Sequence, residues 1–121
     1  MTTVTQAPRT ADYLIAEAGD ISREVVTVKS GEVLKAGTVV GKITVGGKYV
    51  AHDPAGADGS EVAAGITYDA VDATGGDQVA VIHARLAEVD ANLLQWGAGV
   101  LNQGHKDAAI ADLAVHYIIA R

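Results

Sequence analysis

The chain has 121 residues and a formal net charge of −6, and 49% of its residues are hydrophobic. This length fits one domain, and this hydrophobic content argues against intrinsic disorder as the general state of the chain. Lysine and arginine are scattered singly, so we expect neither nucleic acid nor a membrane as a partner. The chain contains no cysteine, which excludes a disulfide framework and a zinc–thiolate site.

The N-terminal sequence and the lengths of the apolar runs bear on where the protein is made. No apolar run approaches the length of about 20 residues that a membrane-spanning helix needs. The N-terminal sequence MTTVTQAPRT has neither the charged nor the apolar region of a secretion signal. We therefore expect a soluble protein that is made in the cytoplasm.

The beginning of the chain differs in composition from the rest. Residues 1–12 are rich in threonine, include Gln6 and Pro8, and show no helical or strand period that could bury a face. This pattern predicts a solvated, mobile arm. We assign the flexible N-terminal arm to residues 1–20 and a single β-rich domain to residues 21–121.

From Arg23 onward the sequence is typical of short β-strands. Residues 23–45 are dense in β-branched side chains and are interrupted by glycines, which predicts strands joined by tight turns. Residues 43–45 and 49–51 flank Gly46-Gly47, a pair that favours a two-residue hairpin turn. Further strands are predicted over residues 62–70 and 79–89.

Two helical segments are predicted after these strands. Asp90 is placed to cap a short turn that reaches Trp96, and Asp107 is placed to cap a second helix with apolar residues on one face. The β-branched residues at 115–119 predict that the chain leaves this helix and ends as a strand. The whole pattern predicts a mainly β fold, like that of small β-clip or β-tulip domains, with two short helices and the arm.

The polar residues form no recognisable catalytic or metal site. None of the four histidines has a metal-ligand spacing, and we expect His83, in an apolar strand, to be a hydrogen-bonded imidazole. Asp53, Asp58 and Glu61 share one loop, but their spacing is typical of turns rather than of a calcium-binding loop. No phosphate-binding loop or nucleophile motif is present. We therefore predict no enzymatic activity and no cofactor.

Trp96 is the single tryptophan and lies beside Leu93 and Leu94. The first interpretation is a packing role in the core or at its edge. The alternative is an anchor at a subunit interface, because tryptophan is enriched at interaction hot spots. Both interpretations stay open at this point.

The most specific segment is KYVAHDPAGADGSEVAAGI, at residues 48–66. A hairpin strand runs into V-A-H-D, a D-G turn follows, and a short strand contains A-A-G-I. This order resembles the head decoration proteins of tailed bacteriophages, which have an aromatic residue at the position of His52. The matching residues are Val50, Ala51, Asp53, Asp58, Gly59, Ala63, Gly65 and Ile66. The order of the later segments also agrees, so the resemblance covers residues 25–119.

The resemblance implies a structural protein of the virion, made in the host cytoplasm. Such proteins sit as homotrimers at three-fold and quasi-three-fold positions on the outside of the expanded head. The implied partner is the major capsid protein, and the N-terminal arm pairs with the edge of a sheet in that protein. The candidate arm residues are Thr2, Thr3, Val4, Thr5 and Gln6, and Trp96 is the candidate for the trimer interface.

A biotinyl-like or lipoyl-like carrier module is the alternative interpretation. The segment LKAGTVVGKI, at residues 34–43, resembles the glycine and valine rhythm of such domains, and Lys48 follows a Gly-Gly turn where they offer a modified lysine. The usual residues around that lysine are missing, and no second symmetric half is visible. An added cofactor mass on Lys48 after expression with a biotin or lipoyl ligase would support this alternative.

Overall fold

The centre of the fold is a closed five-stranded β-barrel, as seen in a computed structural model that describes residues 10–121. In order of pairing, the barrel strands are β2 (Arg23–Val28), β5 (Tyr49–Ala51), β4 (Val39–Lys42), β6 (Ala63–Thr67) and β8 (Gln78–His83). All neighbouring pairs are antiparallel except β2 and β5. Closure of the barrel leaves none of these five strands at a sheet edge.

A three-stranded sheet and one α-helix accompany the barrel. The sheet has β9 (Ala87–Val89) at its centre, antiparallel to β1 (Leu14–Glu17) and parallel to β10 (Ile118–Ala120). The short strands β3 (Val33–Leu34) and β7 (Val71–Asp72) form a separate antiparallel ladder. Helix α1 spans Gln103–Val115, and short 3₁₀ helices span Gly19–Ser22 and Ala91–Leu93.

Two clusters of mainly aliphatic residues, each with one tyrosine, form the core. The barrel core consists of Val28, Leu34, Val40, Tyr49, Ala73, Ala80, Ile82 and Ala84. The second cluster, which we call the sheet–helix core, consists of Tyr13, Val39, Ala63, Ile66, Ala87, Val89, Leu94, Ala109, Leu113 and Ile118. Each fully buried Val, Leu or Ile contributes about 1.5–3 kcal/mol relative to exposure, so these clusters supply the main favourable term in folding.

The predicted mainly β fold is confirmed, but the hairpin at Gly46-Gly47 differs in detail. Both glycines have positive φ, 91° and 70°, as that turn requires. The first strand nevertheless ends at Lys42, which pairs with Tyr49, so the strand predicted over residues 43–45 and the two-residue length of the turn are both wrong. The reason is that the Thr44 N–H donates to the carbonyl of Asp58 at 2.8 Å, which ties this segment to the next loop.

The strand predicted over residues 79–89 is two strands in two different sheets. β8 belongs to the barrel and β9 to the three-stranded sheet. Between them the Ala84 N–H donates to the carbonyl of Ser22 at 2.9 Å, and Leu86 takes a left-handed conformation with φ of 54°. That conformation cannot continue a strand, so the chain changes sheets there.

The helical segments are present with one corrected start. Asp90 accepts the Asn92 N–H at 2.9 Å and caps the short 3₁₀ helix, as predicted, but this helix ends at Leu93 and does not reach Trp96. Helix α1 begins earlier than expected because the side chain of Asn102 accepts the N–H of His105 at 2.9 Å. The prediction of Asp107 as the cap is therefore wrong. The predicted terminal strand is confirmed as β10.

The structure also bears on the segment that we assigned to the arm. Residues 1–9 lie outside the described residues. Tyr13 is only 1% exposed and belongs to the sheet–helix core, and β1 pairs with β9. Residues 13–17 therefore belong to the folded body, because Tyr13 and Leu14 find apolar partners there that are distant in sequence. From here on, the arm means residues 1–9.

Candidate functional surfaces

The point where the arm joins the body is fixed by backbone hydrogen bonds. The Ala11 N–H donates to the carbonyl of Tyr68 at 2.9 Å, and the Leu14 N–H donates to the carbonyl of Ala11 at 3.0 Å. We call residues 10–13 the arm root. The candidate arm residues Thr2, Thr3, Val4, Thr5 and Gln6 precede it and lie outside the described residues.

Beside the arm root, four polar side chains form a continuous chain of hydrogen bonds. The Tyr13 hydroxyl bonds to Nδ1 of His83, and Nε2 of His83 lies 2.5 Å from Glu17 Oε2. The other oxygen of Glu17 lies 2.5 Å from Nη2 of Arg23, and Arg23 Nε donates to Oε2 at 3.1 Å. The Arg23 guanidinium also stacks 4.7 Å from the centroid of the Tyr68 ring. We call Tyr13, Glu17, Arg23 and His83 the root network.

The charges of the root network determine its proton positions. The Arg23 guanidinium, and after it His83, hold the pKa of the Glu17 carboxyl below its ordinary value. Burial raises the pKa of the Tyr13 phenol above its ordinary value. Glu17 is therefore an ionised acceptor, so Nε2 of His83 carries a proton and donates it, and the Tyr13 hydroxyl donates to Nδ1.

The root network is suited to hold chain segments together rather than to react with a substrate. The side chain of His83 is 0% exposed, and both of its ring nitrogens are already engaged. A reacting group would have to displace one of these partners to reach the imidazole. The network instead joins Tyr13 and the end of β1 to β2 and β8, which fixes the direction in which the chain enters the body. The sequence interpretation of His83 as a hydrogen-bonded imidazole is confirmed, but Tyr13 and Glu17 were not foreseen as its partners.

A second notable surface is the outer face of the three-stranded sheet. Leu86, Tyr117 and Ile119 project there and are 39%, 69% and 41% exposed. We call Ala16, Leu86, Tyr117 and Ile119 the outer sheet face. The charged groups around it are paired within the chain: Glu88 contacts Arg121 at 3.2 Å, and Glu17 contacts Arg23.

Two residues of the outer sheet face have strained backbones. Leu86 and Tyr117 have positive φ values of 54° and 61°; of the other positive-φ positions of the described chain, seven are glycine and one is Ala11 in the arm root. A non-glycine residue in this region stores on the order of 1–3 kcal/mol. The chain thus keeps large apolar side chains where glycine would relieve strain, and those side chains face solvent. Such strain is typical of functional surfaces.

Trp96 occupies a position between core and surface. It is partly buried against the sheet–helix core, which agrees with a packing role. The ammonium of Lys106 lies 5.9 Å from the centroid of its ring, and the ring lines a groove together with Asn92, Gln103 and Ile110. Its role at a subunit interface therefore stays a prediction.

The acidic loop at residues 52–61 is held by turn hydrogen bonds. Asp58 accepts from the Ser60 N–H at 3.1 Å and from the Ser60 hydroxyl at 2.6 Å. Glu61 accepts the Gly59 N–H at 2.8 Å. Among residues 10–121, no group of three or more acidic or histidine side chains is arranged to hold a metal ion. The acids of this loop act as turn formers.

His52, at the position where the resembling family has an aromatic residue, is buried. Its side chain is enclosed, with 2% exposure, and its Nε2 lies 3.1 Å from the carbonyl of Glu61. The imidazole of His52 thus fills a buried position where the resembling family has an aromatic ring. Its Nδ1 makes no hydrogen bond to the described residues.

Lys48, the residue of the carrier alternative, is engaged by a neighbouring loop. Its ammonium lies 2.7 Å from a carboxylate oxygen of Asp77, and this contact together with the Ser30 N–H lowers the pKa of Asp77. A lysine offered for modification would have to leave this ion pair.

In the part of the chain that the structure describes, no helix has the length and apolar character needed to cross a membrane.

These features define a small β-barrel protein whose exposed apolar surfaces are the candidates for function. A comparison with protein families matches residues 3–118 to the family described as bacteriophage lambda head decoration protein D. The chain therefore belongs to the family of bacteriophage head decoration proteins, which are structural proteins of the virion capsid. A comparison with curated proteins found no match.

Proposed function

We propose that this protein binds the outside of the expanded phage head as a homotrimer at three-fold sites and holds the shell through its arm. The family match over residues 3–118 is the observation that carries this proposal. It includes most of the candidate arm residues and the folded body as far as Ile118, the first residue of β10. The protein is made in the host cytoplasm and joins the head after the shell expands.

The arm has the length and the side chains that such a contact needs. Nine residues span at most about 30 Å when extended, which is enough to cross from the body onto a neighbouring subunit of the shell. Thr2, Thr3, Val4 and Thr5 favour extended backbone, so addition as a strand to an open sheet edge is chemically reasonable. Gln6 adds an amide that both donates and accepts hydrogen bonds.

Trimerisation adds avidity to a weak individual contact. Ordering each residue of an arm costs about 1–2 kcal/mol of backbone entropy, so one arm alone binds weakly. Three linked arms raise the overall affinity by about 10²–10⁴ through effective concentration. The outer sheet face supports self-association because Leu86 and Tyr117 hold strained backbones and exposed apolar side chains. Trp96 remains a second candidate for this interface.

The effect on the shell follows from linkage. A ligand that binds the expanded shell and not the unexpanded shell stabilises the expanded state by mass action. The net charge of −6 disfavours binding of the protein to the negatively charged phage DNA. No chemical step is needed for this function.

Removal of the arm tests the proposal directly. A variant that lacks residues 2–9, and a full-length variant in which residues 2–6 are replaced by Gly-Ser-Gly-Ser-Gly, are mixed with expanded heads that lack decoration protein. We expect both variants to remain folded trimers and to lose head binding at least tenfold. Head binding equal to that of the unaltered chain would overturn the role of the arm.

A further inference from the structure

A groove of about 480 Å³ lies directly beside the arm root. Its floor is the outer side of the β2–β8 ladder, where Val25 lies opposite Val81 and Thr27 opposite Val79. Val25 and Val79 are 68% and 72% exposed. Its wall is the segment 68–72. We call this feature the valine groove, after the residues Val25, Val71, Val79 and Val81 that line it.

The valine groove and the arm are attached to the same residue. Tyr68, which forms part of the wall, accepts the hydrogen bond that anchors Ala11 of the arm root at 2.9 Å. Because the arm reaches at most about 30 Å from its root, any surface that the arm binds must lie within that distance of the groove. A capsid subunit held by the arm is thus the macromolecule brought nearest to these exposed valines.

The charges of the groove indicate the chemistry of its occupant. Asp69 and Asp72 lie on its rim, and among residues 10–121 no lysine or arginine lines it. Hydrogen bonds from the side chain and N–H of Thr74 lower the pKa of Asp72, so this rim carboxylate stays ionised. The groove therefore fits an extended segment with apolar side chains and at least one basic side chain.

We propose that the valine groove is a second contact with the capsid protein, separate from the arm, and that it takes an apolar segment with a basic side chain from the shell. This inference rests on the proposed function. A second copy of the chain fits the groove less well, because the surrounding acidic rim would meet another chain of net charge −6. The arm provides reach, and the groove provides the fixed orientation of the body on the head.

The test uses a lysine substitution that keeps the arm intact. Val79→Lys places a positive charge on the groove floor, and Val115→Lys is the matched control at a residue of helix α1 that is 75% exposed. Circular dichroism and sedimentation first establish that each variant keeps the fold and the oligomeric state of the unaltered chain. We expect Val79→Lys to bind expanded heads at least tenfold more weakly, and Val115→Lys to bind as the unaltered chain does.

The outcomes separate this inference from the proposed function. Head binding by Val79→Lys within twofold of the unaltered chain overturns the groove contact and leaves the proposed function standing. A change of oligomeric state in Val79→Lys assigns the groove to a second copy and also overturns the inference. If the unaltered chain itself does not bind expanded heads, the proposed function and this inference fail together.

A labelling experiment keeps the inference testable if Val79→Lys does not fold. The chain has no cysteine, so Val79→Cys and Val115→Cys each carry one thiol for maleimide labelling. We expect binding to expanded heads to slow the maleimide labelling of Val79→Cys at least fivefold. The labelling of Val115→Cys should be unchanged by this binding. Equal labelling of Val79→Cys with and without bound heads would overturn the inference.

Discussion

Glu17 accepts a hydrogen bond from the buried imidazole of His83 at 2.5 Å, across 66 positions of sequence. The same carboxylate binds the Arg23 guanidinium. This contact joins the first strand to the barrel at the place where the arm begins. The proposed contact of the arm with the shell requires a fixed attachment to the body, and the root network is the candidate for it.

The first prediction concerns the root network. Glu17→Gln removes the charged acceptor of two donors and should lower the free energy of unfolding by about 1.5–3 kcal/mol. Urea unfolding measures this difference. Glu88→Gln is the control, because its contact with Arg121 is largely exposed and should contribute about 0–1 kcal/mol. Equal effects of the two substitutions would contradict the assigned role of Glu17.

The second prediction is a loss of stability in acid that depends on Glu17. The pKa of Glu17 is lowered in the folded state, so its stabilising effect is present above its unfolded pKa and disappears as the pH falls through its folded pKa. The free energy of unfolding should therefore decline as the pH falls below 4.5, the ordinary pKa of a glutamate carboxyl. The decline should be shallower in Glu17→Gln. Parallel pH profiles for the two proteins would refute this assignment.

The third prediction separates strain from association at the outer sheet face. Tyr117→Gly removes an exposed side chain and relieves its positive φ, so the fold should be retained. The same change should shift the proposed trimer toward monomer in sedimentation equilibrium. Val45→Gly is the control, at a turn residue that is 87% exposed. A trimer of undiminished stability in Tyr117→Gly would place the interface elsewhere.

The fourth prediction concerns the close approach of Gly59 to β4. Gly59 has a φ of 110°, and a Cβ atom there would lie 2.3 Å from the carbonyl oxygen of Lys42. Gly59→Ala should lower the free energy of unfolding by about 2 kcal/mol or more, through backbone strain and displacement. Gly75→Ala is the matched control, because a Cβ atom at Gly75 meets no atom within 4 Å. Thermal unfolding of the two variants measures the contrast.

Local sequence signals were sufficient for much of the fold. β-branched residues punctuated by glycine predicted a mainly β fold, the Gly46-Gly47 turn has the expected backbone conformation, and Asp90 caps the expected short helix. These features depend on residues that are neighbours in the sequence. The family resemblance depended mainly on one contiguous segment, residues 48–66, together with the order of the later segments, and it is confirmed by the match over residues 3–118.

The features that could not be foreseen depend on distant contacts. The burial of Tyr13 depends on His83, 70 positions away, so its segment has no local sign of belonging to the body. The break between β8 and β9 depends on Ser22 and on the strained Leu86, and a uniform β pattern conceals it. The cap at Asn102 was overlooked because the glycine-rich segment before it favours a loop.

Binding of the unaltered chain to heads of the two shell states, expanded and unexpanded, is the measurement that bears most directly on its function. Purified protein is co-sedimented with each kind of head, and the bound mass is determined at saturation. We expect binding to expanded heads with three copies at each three-fold site, and no saturable binding to unexpanded heads. Equal binding to both kinds of head, or binding to neither, would contradict a role in stabilising the expanded shell.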